Sequence, residues 1–161
     1  MEGLNLYIIT TKRNKATILS FINKVKKNKL LKLLNDELMV VPLDFIGDLE
    51  QIDDYDWISI KNINDVIEFG SLHPPRAFSC YLSINDDKIN SIILGFTVDN
   101  YLILGLSLQD SDQNYEYAKE LLKELLINYG ATSGGVFVEQ IPALSKDLFE
   151  KYLNKNSLFR L

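Results

Sequence analysis

Between residues 77 and 141 the apolar positions predict three antiparallel strands, a crossover helix and a fourth strand. Phe78, Cys80, Leu82 and Ile84, then Ile92, Leu94, Phe96 and Val98, then Leu102, Leu104, Leu106 and Leu108 are apolar at every even number, the period of two of a buried sheet face. Residues opposite one another in an antiparallel pair share a face, so even must pair with even and each connection must hold an odd number of residues. Three-residue loops at 99–101 and 86–88 then set Val98 against Leu102, Phe96 against Leu104 and Leu82 against Ile92. The same register puts Gly95 opposite Gly105 on the other face, where something is expected to approach the backbone closely. Downstream, Ser111 reads as an N-cap, Ala118, Leu121, Leu122, Leu125 and Tyr129 mark one helical stripe, and Gly130 ends it. The strand over 135–141 is expected to run parallel to the 101–108 strand through a right-handed crossover.

Earlier in the chain, Leu4, Leu6 and Ile8 alternate with Asn5, Tyr7 and Ile9 as a first strand. Ile18, Phe21, Ile22 and Val25 give a helix from about Asn14, broken near Asn28 before 30–34 resume it. The run 38–43, closed by Pro42, predicts the second strand of a β-α-β unit. Residues 44–56 read as a loop, 57–60 as a brief strand, and Asn62 as the cap of a short helix through Phe69 with Gly70 as its stop. His73-Pro74-Pro75-Arg76 is an extended linker. Ser145 caps a last helix that turns Leu148, Tyr152 and Leu153 inward. The expected fold is α+β: a mixed, mostly antiparallel sheet of about five to six strands, helices packed mainly on one face, with 1–161 as a single domain.

Composition narrows the class. Hydrophobic content of 47% and charged content of 24% exclude a disordered or collagen-like chain. The longest apolar runs are strand-sized, and the N-terminus lacks the order of a signal peptide, so no membrane partner and a cytoplasmic location are expected. One cysteine and one histidine make neither an internal disulfide nor a zinc site of the usual kind, and no metal or cofactor is expected. Net charge is −5 but unevenly spread. Residues 1–34 hold eight basic side chains against one acidic, whereas 35–75 hold ten acidic against Lys61 alone, a local balance of −9.

Catalytic candidates are thin. His73 and Cys80 could form a nucleophile pair, but Cys80 falls on the core face, where nothing lowers its pKa. Glu139 beside Gly134-Gly135 lacks an evident partner, and no phosphate-loop or dinucleotide motif occurs. Lysines 24–32 are not interleaved with aromatics, so nucleic acid is not an expected partner. The segment 44–57 differs in kind. Asp44, Asp48, Glu50, Asp53, Asp54, Tyr55, Asp56 and Trp57 join carboxylates to aromatic rings, a combination in which aromatics anchor a protein partner and charges steer it. Trp57 taken alone is expected in the core, as a single tryptophan in a small domain usually is.

A small, acidic chain of Ile/Asn/Lys-rich character, without a catalytic motif and with an acid-aromatic loop, resembles the immunity proteins of bacterial polymorphic-toxin and contact-dependent inhibition systems. The resemblance implies a non-catalytic protein that neutralises a cognate toxin domain, basic and often a nuclease, by direct binding. Two alternatives stand beside it: a small-molecule-binding or acyl-transfer-like α+β enzyme using the Gly95/Gly105 face and Glu139, and an adaptor that forms a homodimer through a sheet edge.

Overall fold

At the start of the chain Leu4, Leu6 and Ile8 fall on one face and Tyr7 and Ile9 on the other, so the strand is apolar on both sides and takes an interior place in the sheet. The computed structural model describes residues 3–109 and 111–161; the side chain of Ser111, and with it the expected cap, lies outside the described residues. In chain order the elements are β1 (Leu4–Thr10), α1 (Lys15–Lys26), β2 (Leu31–Leu33), β3 (Glu37–Val40), β4 (Asp56–Ser59), α2 (Ile63–Gly70), β5 (Phe78–Ile84), β6 (Ile89–Phe96), β7 (Leu102–Leu108), α3 (Ser111–Asn128), β8 (Ser133–Val138), α4 (Lys146–Asn156) and β9 (Phe159–Arg160). Seven strands form one sheet in the order β2-β5-β6-β7-β1-β8-β9, while β3 and β4 form a separate ribbon. The fold is α+β.

The even face is the core, as the alternation predicts. Cys80 lies opposite Leu94 and Leu82 opposite Ile92, and even pairs with even from Ile92 to Phe96 of β6 against both neighbours, until a register shift sets Ile89 against Leu108. The β6–β7 register, however, is shifted by two residues from the expected one: Phe96 faces Leu102 and Leu94 faces Leu104. The connection is five residues long, 97–101, because the Thr97 hydroxyl accepts from the Tyr101 amide at 2.8 Å and the Thr97 amide donates to the Tyr101 carbonyl. Val98 is drawn out of the strand and its amide donates to the Leu144 carbonyl at 2.9 Å. Gly95 therefore faces Ile103, and Gly105 faces Ile93.

Two further expectations are corrected. No β-α-β unit forms at the start: β1 pairs antiparallel with both β7 and β8, and β3 leaves the sheet for the ribbon with β4. β8 does run in the same direction as β7, but β1 lies between them, so every strand pairing among the described residues is antiparallel. Residues 30–34 do not resume the helix. Lys27 adopts φ 52° and turns the chain, after which Leu31 and Leu33 point inward around exposed Lys32 as the edge strand β2.

Helices α1, α2 and α3 cover the even face through Phe21, Ile22, Val66, Ile67, Leu122 and Leu125, and α4 covers the odd face through Phe149 and Leu153. Helices α1, α2 and α4 begin where a capping residue is available: the side chains of Asn14, Asn62 and Ser145 accept the amides of Thr17, Asp65 and Leu148. Gly130, at φ 58°, closes α3. The glycine pair of β8 lies between two helices: a Cβ on Gly134 would stand 2.8 Å from Leu122 of α3, and one on Gly135 2.5 Å from Leu153 of α4. No helix among the described residues is long and apolar enough to cross a membrane.

Candidate functional site

The β3–β4 ribbon has an inner and an outer face because strand residues alternate. Leu38 and Val40 are buried and Ile58 half-buried on the inner side, so Glu37, Met39, Trp57 and Ser59 fall on the outer side. Met39 lies directly opposite Trp57, and Glu37 opposite Ser59. Trp57 is 61% exposed and Met39 46% exposed. The expectation that Trp57 folds into the core is thus corrected: Ile58 occupies the inward position, and the tryptophan must point the other way.

The ribbon's outer face borders a groove of about 390 Å³, lined by Met39, Tyr55 and Trp57, by Ser79 and Tyr81 of β5, and by Ile141 and Pro142. Ile141, 68% exposed, lies in the 139–144 segment, whose course is fixed from the sheet: the Tyr7 hydroxyl and the Asn5 side-chain Nδ2 both donate to the Gln140 carbonyl. Burial pushes the phenols of Tyr7 and Tyr81 above their ordinary value, and the Ser79 hydrogen bond partly offsets this at Tyr81.

The eight acid-aromatic residues divide into two sets. Asp56 accepts from Arg76 Nη2 at 2.7 Å, and Arg76 Nε donates to the Val41 carbonyl, so this pair pins the ribbon to the segment entering β5. Glu50 pairs with Lys151 of α4, and the Asp48 carboxylate accepts the Glu50 amide at the start of a 3-10 turn, Leu49–Gln51. These three hold the segment in place. Asp44, Asp53 and Asp54 are exposed and form no ion pair among the described residues, and Tyr55 and Trp57 face the groove. Lysines 24–32 do not neutralise the segment: Lys24 pairs with Glu124 at 2.9 Å and Lys29 with Asp86. Compared with known proteins, the chain matches no family model, no curated protein and no solved structure.

The remaining candidates take structural places. Cys80 is fully buried, and burial pushes its thiol up to about 12, so it is a small hydrophobe. Glu139, at φ 48°, accepts the Gly3 amide at 3.2 Å. His73 is exposed ahead of a cis peptide bond to Pro74. The space over the glycines is filled from within: a Cβ on Gly105 would meet the Tyr7 ring at 2.4 Å, and one on Gly95 would meet Pro142 at 3.0 Å. Among the described residues no three His, Cys, Asp or Glu side chains gather where a metal could bind.

Glu37, Met39, Tyr81 and Ile141 were not singled out by the sequence pattern. Met39 and Glu37 could have been, since alternation in 37–40 puts both opposite the buried Leu38 and Val40. Tyr81 and Ile141 join the groove through tertiary packing alone.

Proposed function

We propose that this chain is a non-catalytic binding protein of the bacterial immunity type, acting in the cytoplasm, where it neutralises a basic toxin domain by covering its cleft. The observation that carries this reading is the exposure of Trp57 opposite Met39, on a groove whose lining includes Glu37, with Asp53 and Asp54 just ahead of Tyr55 in the chain, all three carboxylates without an ion pair among the described residues. Exposed large apolar groups in a contiguous patch mark interaction sites, and unpaired acidic groups beside them favour a cationic partner by long-range steering.

The test is affinity capture from the cells that make the protein, followed by binding kinetics with the captured partner at low and high salt. Wild type should retain one stoichiometric basic protein. Trp57→Ala should speed dissociation by roughly thirtyfold, the loss of about 2 kcal/mol typical of an anchoring residue. Asp53→Asn with Asp54→Asn should slow association and flatten its salt dependence while leaving the thermal melt unchanged. Full-strength binding by both variants, or an acidic partner indifferent to salt, would overturn the reading.

A further inference from the structure

Among the described residues, six aromatic rings of this protein lie near its own cations. Arg13 lies 5.1 Å from the Phe96 ring centroid, Arg76 5.8 Å from Phe69, Lys88 4.4 Å from Tyr117 and Lys146 5.3 Å from Tyr101, while Lys119 lies near both Tyr115 and Phe159. The groove contributes three further rings, those of Tyr55, Trp57 and Tyr81. Among the described residues no lysine or arginine covers any of them, and the groove lining includes no cationic side chain. Glu37, also in the lining, is exposed and forms no ion pair among the described residues.

Aromatic faces attract a cation through their quadrupole, and a carboxylate beside them adds a charge-assisted hydrogen bond. A planar guanidinium uses both at once, because it stacks on a ring and offers a fork of N–H donors to the carboxylate. A compact, strongly hydrated ammonium gains less from the stack. Resting on the partner-binding reading above, we infer that the groove receives an arginine side chain of the partner, its guanidinium held among the rings of Tyr55, Trp57 and Tyr81 and donating to Glu37.

Trp57 is the single tryptophan of the chain, so its fluorescence reports on the groove without a label. Titrating the full-length protein with N-acetyl-arginine amide should give a saturable change in emission with a dissociation constant of the order of 1 mM. The citrulline amide, which keeps the shape and loses the charge, should bind at least about tenfold more weakly. Glu37→Gln should weaken arginine binding likewise without moving the thermal melt, since Glu37 is exposed. Equal responses to arginine and citrulline, or no saturable change with arginine amide, overturn the inference. If that happens while the partner complex still depends on Trp57, only the arginine is removed. A partner complex indifferent to Trp57 removes the binding surface itself, and the inference with it.

Discussion

The ring of Tyr7 lies across Gly105, so close that a Cβ on the glycine would stand 2.4 Å from Cδ1 and 2.6 Å from Cε1. The two residues are cross-strand neighbours in β1 and β7, and the ring over the bare backbone is what lets the Tyr7 hydroxyl reach the Gln140 carbonyl. Gly105→Ala should therefore destabilise by about 1–3 kcal/mol, the cost of overpacking. The double variant with Tyr7→Ala should lose less than the sum of the two single changes, because both act on one contact. Urea unfolding of the four proteins measures the coupling, and strict additivity would contradict it.

Arg13 ties three segments together through four backbone carbonyls. Its Nε donates to the Gly70 carbonyl at 2.9 Å, Nη1 to Thr97 at 2.6 Å and Tyr101 at 3.3 Å, and Nη2 to Arg76 at 2.9 Å. Burial lowers its pKa to about 10, which leaves it charged at neutral pH. Arg13→Lys should cost at least about 2 kcal/mol, since an ammonium cannot span this fork and leaves carbonyls without a donor. A melting temperature equal to wild type would show that the positive charge alone suffices.

Acid should weaken the turn before β6. The Lys29 ammonium, helped by the amides of Lys88 and Ile89, holds the Asp86 carboxyl down at about 2. A carboxylate whose folded pKa is depressed contributes stability above its unfolded value, and this is lost as pH falls toward the folded one. Asp86→Asn should be less stable than wild type at neutral pH, and the gap should narrow between about pH 4 and pH 2. Urea melts across that range decide it; a gap independent of pH would mean the carboxylate charge contributes nothing.

Cys80 should be unreactive in the folded protein. Full burial and a thiol pushed up to about 12 leave almost no thiolate at neutral pH. A disulfide reagent should label it only at the rate of unfolding, accelerating in denaturant. Rapid labelling in native buffer would place the thiol at an accessible site.

Much of this architecture can be read from residue types. Period-two alternation in 78–84 and 92–108 identifies the core face, because every even residue is apolar and a slip of one would turn the leucines outward. A slip of two preserves that alternation. The pattern therefore cannot distinguish Leu94 against Leu106 from the observed Leu94 against Leu104, a choice made by the Thr97 hydroxyl and the pull of Leu144 on Val98. Nor does periodicity place β1: its strand signal is clear, but insertion between β7 and β8 depends on non-local packing against α3. For the site, the segment 44–57 is conspicuous by charge, yet half the groove lining comes from Ser79, Tyr81, Ile141, Pro142 and Leu144, which lie far away in sequence.

The borders of the seven-stranded sheet bear on aggregation. One is β2, three residues with exposed Lys32 at its centre, and the other is β9, two residues ending in exposed Arg160. Short, charged edges give an incoming strand little backbone to pair with. The segment most prone to cross-β stacking, the apolar run 92–96, lies in β6, third from the nearer border and hydrogen-bonded on both sides. It becomes available to another molecule only when β5 or β7 detaches, so fibril nucleation in this protein should follow sheet opening and be suppressed wherever the native state is stable.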